Sequence, residues 1–379
     1  MAWSVTSNAI SASVSSGTPI VSASTGLAGG GSVSVSPSPQ SISVSGASIS
    51  SGLGIYAGDP NFLVPGTVIY NVSPSSSGTI NIQNLLPYKP LEYAWMASAL
   101  ETGSMSLSIK TSTGYAAVMW WDGSVSVYGS GMASAFMTAQ KSVPTSGNWS
   151  RSAPKQIYIW PCSPGTAIYS GSITGLSCSS RKLTALSVAD CGNLTSLDCS
   201  TNVIDYIDLR NCDSLQELFC YGNNIGSLDL SQLPALVSLY CQNNYFTSLS
   251  LTTNTKLETL QCDHNELTGL TLTNNTLLQN LYCHDNDMYG LSLSTNTRLK
   301  NLNCSSNRIL TFSIGTGTAM SGMFGCNLSY NLLDATVLNA FYTALGQVSS
   351  GTLFVSGNPG SNGDTPSIAT AKGYTVYGT

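Results

Sequence analysis

A cysteine returns every 21 residues along one stretch of the chain, at Cys178, Cys199, Cys220, Cys241, Cys262, Cys283 and Cys304. Each sits in one frame, cleanest as Leu215-x-x-Leu218-x-Cys220-x-x-Asn223-x-Ile225-x-x-Leu228-x-Leu230 and repeated as Leu236, Leu239, Cys241, Asn244, Phe246, Leu249 and Leu251. A unit this short cannot enclose a core, so its apolar positions are satisfied when copies stack on one another. The Leu-x-Cys alternation sends every second side chain to one side, giving each turn a short strand with one buried face. Such strands pair in parallel, about 4.8 Å apart.

The polar member of the frame is as regular as the apolar ones. Asn202, Asn223, Asn244, Asn265, Asn286 and Asn307 stand where the chain must bend. Their amides can satisfy backbone groups that the turn would otherwise bury unpaired. The repeat also divides nearly in half: Leu267-x-x-Leu270-x-Leu272-x-x-Asn275 imitates the first half, so a second inward strand per turn is expected. Asn254, Asn275 and Asn296 form a second possible ladder, with Cys212 and Cys191 in its place on earlier turns.

Charge narrows the partners. Charged residues make up 8% of the 379, against roughly 25% in ordinary globular chains, so Ser, Thr, Asn and Gly must supply solubility. A net charge of -5 argues against nucleic acid, whose phosphates need clustered Lys and Arg. No apolar run is long enough for membrane insertion. The N-terminal MAWSVTSNAISASVSS has neither a basic region nor a continuous apolar one, so no standard secretory leader is expected.

The cysteines read as buried free thiols. In-register neighbours one strand apart place their Cβ atoms nearer about 4.8 Å than the roughly 3.8 Å a disulfide prefers. CxxC-type and Cys/His clusters are missing from the sequence, so no thiol metal site is expected.

Outside the repeats the chain divides by composition. Residues 1–58 carry no charge and alternate Ser with Val or Ile, which reads as a Ser/Gly-rich arm or small β-domain held by other chains. Residues 59–152 hold aromatic, strand-like runs such as SMSLSIKTS and YAAVMWWDG and read as a β-rich domain. In that domain Trp120-Trp121 suggests a strand end with one ring buried. The solenoid is assigned to residues 153–379. Ile157-x-x-Trp160-x-Cys162 imitates half a turn and is expected to begin an N-terminal cap over 157–178, with Trp160 covering the first rung. A C-terminal cap is expected over 328–379: Leu328-x-x-Asn331 and Val355-x-x-Asn358 continue the ladder around a convex-side helix. That helix has Asp334 as N-cap, Val337, Leu338, Phe341 and Leu345 as its apolar stripe, and Gly346 as its stop. The AKGYTVYGT tail adds a last strand. The predicted fold class is mainly β: an N-terminal β-rich region, then a solenoid with a parallel sheet and a C-terminal capping helix.

The L-x-x-L-x-C-x-x-N frame over residues 157–379 resembles the bacterial-type leucine-rich repeat. The C-terminal helix, GTLFVSGNPGSNG and KGYTV, together with KTSTGYAAVMWWDG, resemble segments of repeat proteins in bacteriophage genomes. That resemblance implies a virion component: a tail fibre, a receptor-binding protein or a capsid decoration. This chain lacks a collagen-like or coiled-coil stalk.

Catalysis is not expected. His264 and His284 fit no nucleophile motif, and GLAGGGS lacks the Lys and helix of a phosphate loop. The two histidines stand on adjacent turns beside Asp263 and Asp285, where polar surface decoration is expected rather than a metal site, and no cofactor is implied. Binding is better supported. Outward positions flanking the cysteine form two columns, Asp198, Phe219, Tyr240, Gln261, Tyr282, Asn303 and Ser200, Tyr221, Gln242, Asp263, His284, Ser305. Aromatic faces beside amides and carboxylates suit sugars or protein loops. The expected site is therefore Phe219, Tyr221, Tyr240, Gln242, Asp263, Tyr282 and His284.

The function expected is non-enzymatic: a virion protein, homo-oligomeric, meeting other virion proteins through 1–58 and a host-surface glycan or protein through the solenoid. A bacterial surface or secreted adhesin is the alternative, and an enzyme with a repeat appendage a weaker one.

Overall fold

The computed structural model describes residues 104–120, 126–132, 135–142, 157–162, 171–313 and 323–378 with their side chains, together with Ala94 and Met96; further strands before residue 162 are described by backbone. The 1–58 arm and Trp121 lie outside the residues described with side chains.

Each turn of the repeat forms a three-residue strand, as in Glu217–Phe219, Ser238–Tyr240 and Thr259–Gln261. The central Leu faces inward and pairs in register with its copies, Leu218 with Leu239, Leu239 with Leu260, Leu260 with Leu281. Each of these leucines is fully buried, worth roughly 1.5–3 kcal/mol apiece. The result is mainly β, a parallel-sheet solenoid of about nine turns, with two helices among the described residues. One turn exchanges its residues without changing their sum: Cys326 takes the leucine position opposite Leu302 and Leu353, and Leu328 stands in the cysteine column.

The ends of the stack are closed by different means. A twelve-stranded sheet runs from Met137–Ser142 through Ser104–Thr111 into the parallel strands that begin with Ile173–Ser177 and end with Tyr374–Tyr377. The first two of those strands are antiparallel to their neighbours. A second sheet orders Val125–Gly129, Tyr115–Met119, Lys155–Pro161, Ala94–Ser98, Leu183–Ser187 and Tyr206–Asp208. The strands between residues 94 and 161 thus extend both sheets of the solenoid, and Met96, Leu107, Val118, Trp120 and Ile159 join one continuous core with the repeats.

This changes the part given to Ile157–Cys162. Lys155–Pro161 pairs antiparallel with Tyr115–Met119 and Ala94–Ser98, so it is a sheet strand rather than half a repeat. Ile157 and Ile159 are buried while Trp160 is half-exposed, so Trp160 does not cover the first rung. An open parallel edge would leave a row of unpaired backbone groups, and Ser104–Thr111 and Ala94–Ser98 cover that edge instead.

A second strand per turn is present on some turns and missing on others. It forms at Leu183–Ser187 and Tyr206–Asp208, and again at Gly290–Ser292 and Thr311–Ser313. Between them Leu230, Leu251 and Leu272 are buried on turns whose second half holds at most one isolated bridge, Leu270 to Leu291.

The C-terminal helix spans Ala335–Ala344, and Asp334 Oδ1 accepts the Val337 N–H at 2.8 Å as its cap. Leu345, rather than Gly346, ends it. Leu338 and Phe341 are buried, Phe341 standing edge-on to Phe312 at 5.4 Å. Tyr342, absent from the sequence-derived stripe, is buried too and donates to Asp364 Oδ2 at 2.6 Å. The tail forms the last strand, Tyr374–Tyr377.

The asparagines do what their position requires. Asn244 Oδ1 accepts the Ile225 N–H of the preceding turn at 3.0 Å, and its Nδ2 donates to Cys220 O at 3.0 Å and Cys241 O at 3.2 Å. The same set recurs at Asn223, Asn286, Asn307 and Asn331. In the second ladder the Nδ2 groups of Asn254, Asn275 and Asn296 donate to backbone carbonyls, while their Oδ1 atoms are buried without a partner. Leu233 fills the place between Cys212 and Asn254 and is buried.

Removing one amide of the first ladder leaves a buried N–H and two carbonyls with fewer partners. Asn244→Ala is expected to cost about 2–4 kcal/mol in urea unfolding, and the exposed Asn224→Ala less than about 0.5 kcal/mol.

All eleven cysteines are free and buried. Burial pushes the thiols up, to about 11 for Cys162 and about 12 for Cys220 and Cys304. Thiols of the unfolded chain ionise from about pH 8.5, where the folded ones keep their protons. The fold then binds more protons than the unfolded chain, so stability is full below that pH and falls as pH rises. The loss is about 1.4 kcal/mol per thiol per pH unit. Circular dichroism against pH is expected to show nearly constant stability from pH 6 to about 7.5, a decline that steepens above about pH 8.5, and cooperative unfolding by about pH 10. Fast thiol labelling is expected to coincide with that unfolding.

Candidate functional site

The outward face of the long sheet is built by three columns beside the buried leucine and cysteine. The first contains Glu217, Ser238, Thr259, Asn280 and Asn301. Its side chains bond along the stack: Asn301 Nδ2 donates to Asn280 Oδ1 at 2.8 Å, and Asn280 Nδ2 to Thr259 Oγ1 at 3.2 Å. A parallel chain runs from Lys300 Nζ to Gln279 Oε1 at 2.8 Å and from Gln279 Nε2 to Glu258 Oε2 at 2.9 Å. These ladders satisfy themselves.

The second column is in register from Asp198 through Phe219, Tyr240, Gln261, Tyr282 and Asn303. Phe219 and Tyr240 stack with ring centroids 4.8 Å apart and planes 16° from parallel. Tyr282 is separated from that pair by Gln261, so the column is a stacked pair, an amide and a further tyrosine rather than an unbroken strip. All four side chains are half-buried.

Register also brings in residues that the sequence reading left out. The column continues through Asn327 to Phe354 and Tyr377, whose rings stack 5.1 Å apart at 18° and are 41% and 49% exposed. The longer repeats near the C-terminus break the 21-residue phase and hide this alignment. The signal was present in Val355-x-x-Asn358, because Phe354 precedes Val355 as Phe219 precedes Cys220.

In the third column Tyr221, Gln242 and His284 are half-buried and Asp263 is buried. At its two ends the hydroxyls turn inward on the neighbouring column, Ser200 Oγ to Asp198 Oδ1 and Ser305 Oγ to Asn303 Oδ1, each at 2.7 Å. In the middle, Gln242 Nε2 donates to Gln261 Oε1 at 3.2 Å, while Gln242 Oε1 has no partner. Phe219, Tyr221, Tyr240 and Gln242 therefore come together on adjacent turns. Asp263 and His284 form part of a separate cluster: Asp263 Oδ2 lies 3.0 Å from His264 Nδ1 and 3.7 Å from His284 Nε2.

One backbone feature organises that cluster. Two residues past each cysteine position the chain is left-handed, at Thr201, Gly222, Asn243, His264, Asp285 and Ser306, with φ between 51° and 65°. The turn passes its backbone hydrogen bond to the next turn from this residue, as from Thr201 N to Tyr221 O at 2.8 Å and His264 N to His284 O at 3.1 Å. No residue type marks this position in the sequence, so the left-handed turn was not legible there, although the adjacency of His264 and His284 to Asp263 and Asp285 was.

Residues 213–254 match the family model of leucine-rich repeats in two copies. No curated protein sequence matches the chain. Among solved structures, the functional domain of InlJ from Listeria monocytogenes, which includes a cysteine ladder, is 29% identical, with 54% of this chain and 44% of that one covered and a TM-score of 0.47. The leucine-rich-repeat protein LIC12759 of Leptospira interrogans is 18% identical, with 49% of each chain covered and a TM-score of 0.43. The leucine-rich effector YopM of Yersinia pestis is 20% identical, with 50% of this chain and 62% of that one covered and a TM-score of 0.39. This chain spans less than two thirds of each of them.

The left-handed column yields a direct test. Thr201 is β-branched at φ 55° and exposed, so its conformation is costly and its side chain contributes little packing. Thr201→Gly is expected to raise stability by about 0.5–1 kcal/mol in urea unfolding. Gly222→Ala is expected to lower it by about 1 kcal/mol, since its added Cβ would come no nearer than 3.5 Å to Thr201 and the penalty is conformational.

Proposed function

We propose that this chain is a non-enzymatic attachment protein of a bacteriophage particle, anchored through residues 1–58 and binding a host-surface glycan or protein with the outward face of its long sheet. The observation that carries the binding part is the stacked Phe219–Tyr240 pair, flanked by the half-buried Tyr221 and Gln242. Flat aromatic area edged by a tyrosine hydroxyl and an amide offers a ligand apolar contact with polar groups beside it. Tyr282 and the more exposed Phe354–Tyr377 pair extend the same column, which suits an extended ligand lying along the stack. The virion placement is supported by the charge-free N-terminal segment and by the resemblance of KTSTGYAAVMWWDG and the C-terminal segment to phage repeat proteins.

The full chain is the material to test, because the strands between residues 94 and 161 share the core of the repeats. Wild type and the double variant Tyr240→Ala/Tyr282→Ala are compared for binding to host cells and to their isolated surface glycans. Loss of about 30-fold or more in affinity, with unfolding unchanged, is expected if these tyrosines are anchors. Equal binding by both proteins would move the solenoid to an assembly role. Binding to animal rather than bacterial surfaces would favour the adhesin reading.

A further inference from the structure

Asp263 and His264 on one turn face His284 and Asp285 on the next, so four side chains with metal-binding atoms occupy a two-by-two grid. Contacts link all four, His264 reaching its two neighbours with different ring nitrogens. Asp263 Oδ2 is 3.0 Å from His264 Nδ1, and His264 Nε2 is 3.6 Å from Asp285 Oδ2. Asp285 Oδ2 is 3.8 Å from His284 Nε2, which is 3.7 Å from Asp263 Oδ2. Asp263, His264 and His284 each bring a donor atom within 4.8 Å of the others.

These spacings fit a small ion. Ligands at 2.0–2.1 Å from a tetrahedral metal stand about 3.3 Å apart, and three of these distances exceed that by a few tenths of an ångström. The framework beneath is fixed. His264 N bonds His284 O at 3.1 Å, Asp285 N bonds Ser305 O at 3.1 Å, and the adjoining Asn265 and Asn286 are held to neighbouring turns. Among the described residues no Lys or Arg pairs with either carboxylate, so two negative charges face the imidazoles without a permanent cation. His264 and Asp285 are half-exposed, which leaves the grid open to solvent.

We propose that Asp263, His264, His284 and Asp285 form a binding site for a divalent transition-metal ion of the zinc type, clamping two adjacent turns of the solenoid. Two imidazole nitrogens and two carboxylate oxygens favour zinc, cobalt or nickel over calcium or magnesium, which take oxygen ligands. His284 Nδ1 is buried without a partner. When Nε2 ligates, the ring proton moves to that unpartnered atom, so affinity is weaker than where a carboxylate or carbonyl receives it. Affinity is expected to be about 10–100-fold weaker than at a site whose histidine has that outer partner. The site stands independently of the attachment reading.

Chelator-treated full-length protein is titrated with zinc chloride at pH 7.5 by calorimetry, alongside His264→Ala and His284→Ala. Retained circular dichroism and urea unfolding show that the variants fold. The expected result is one equivalent bound by wild type, and at least about 10-fold weaker binding by each variant. Cobalt chloride should give a tetrahedral visible spectrum in wild type and lose it in both variants. Magnesium and calcium chloride should give no binding at the same concentrations. Absence of zinc binding by wild type, or zinc binding unchanged in both variants, would overturn the proposal.

Discussion

The fold depends on a buried amide that ties two successive turns of backbone together. In each repeat one asparagine gives its oxygen to an N–H of the turn before and its amino group to the carbonyls of two successive cysteine-position residues. A stack of three-residue strands has little hydrogen bonding of its own, and a bend that tight exposes backbone groups to an apolar interior. Leaving any of them unpaired costs about 1–3 kcal/mol per turn, comparable to what one buried leucine contributes. The ladder therefore holds each turn in register with the one before, at spacings of 21 residues and at the longer ones that end at Asn331 and Asn358.

Once the turns are in register, lateral side-chain bonding follows. Copies of a position stand one strand spacing apart, close enough for Asn301, Asn280 and Thr259, or Lys300, Gln279 and Glu258, to bond in line. Neutral amides and hydroxyls can sit above one another where like charges would repel. This bonding separates the surface into parts that satisfy themselves and parts that do not. Phe219 and Tyr240 are of the second kind, as is the Asp263–His264–His284–Asp285 grid.

Burial of the cysteines follows from the same geometry. The column needs a small apolar side chain beneath the bend, and a thiol fills it with a weak donor to spare, as in Cys199 Sγ to Phe219 O at 3.5 Å. Leu328 and Val355 in the same column show that other inward apolar side chains are accommodated there toward the C-terminal end.

Period, inward leucines and cysteines, the asparagine bonding and the Asp334 cap were all legible in the sequence, because each is local: it depends on residues a few positions apart in a regularly repeating backbone. Phe219, Tyr221, Tyr240 and Gln242 were legible as neighbours for the same reason. Three things were decided by tertiary structure. The strands between residues 94 and 161 close the solenoid, because any sequence with alternating apolar residues can cover an open edge and nothing local says which will. Phe354 and Tyr377 join the aromatic column because alignment across repeats of unequal length is set by strand pairing rather than by residue count. The adjacency of His264, His284, Asp263 and Asp285 was in the sequence, but the contacts they make come from a backbone that turns left-handed at a position that Ser, Thr, Gly, Asn, His and Asp all occupy. The hydrogen bond to the next turn imposes that conformation whatever the side chain, and so leaves no mark in the sequence.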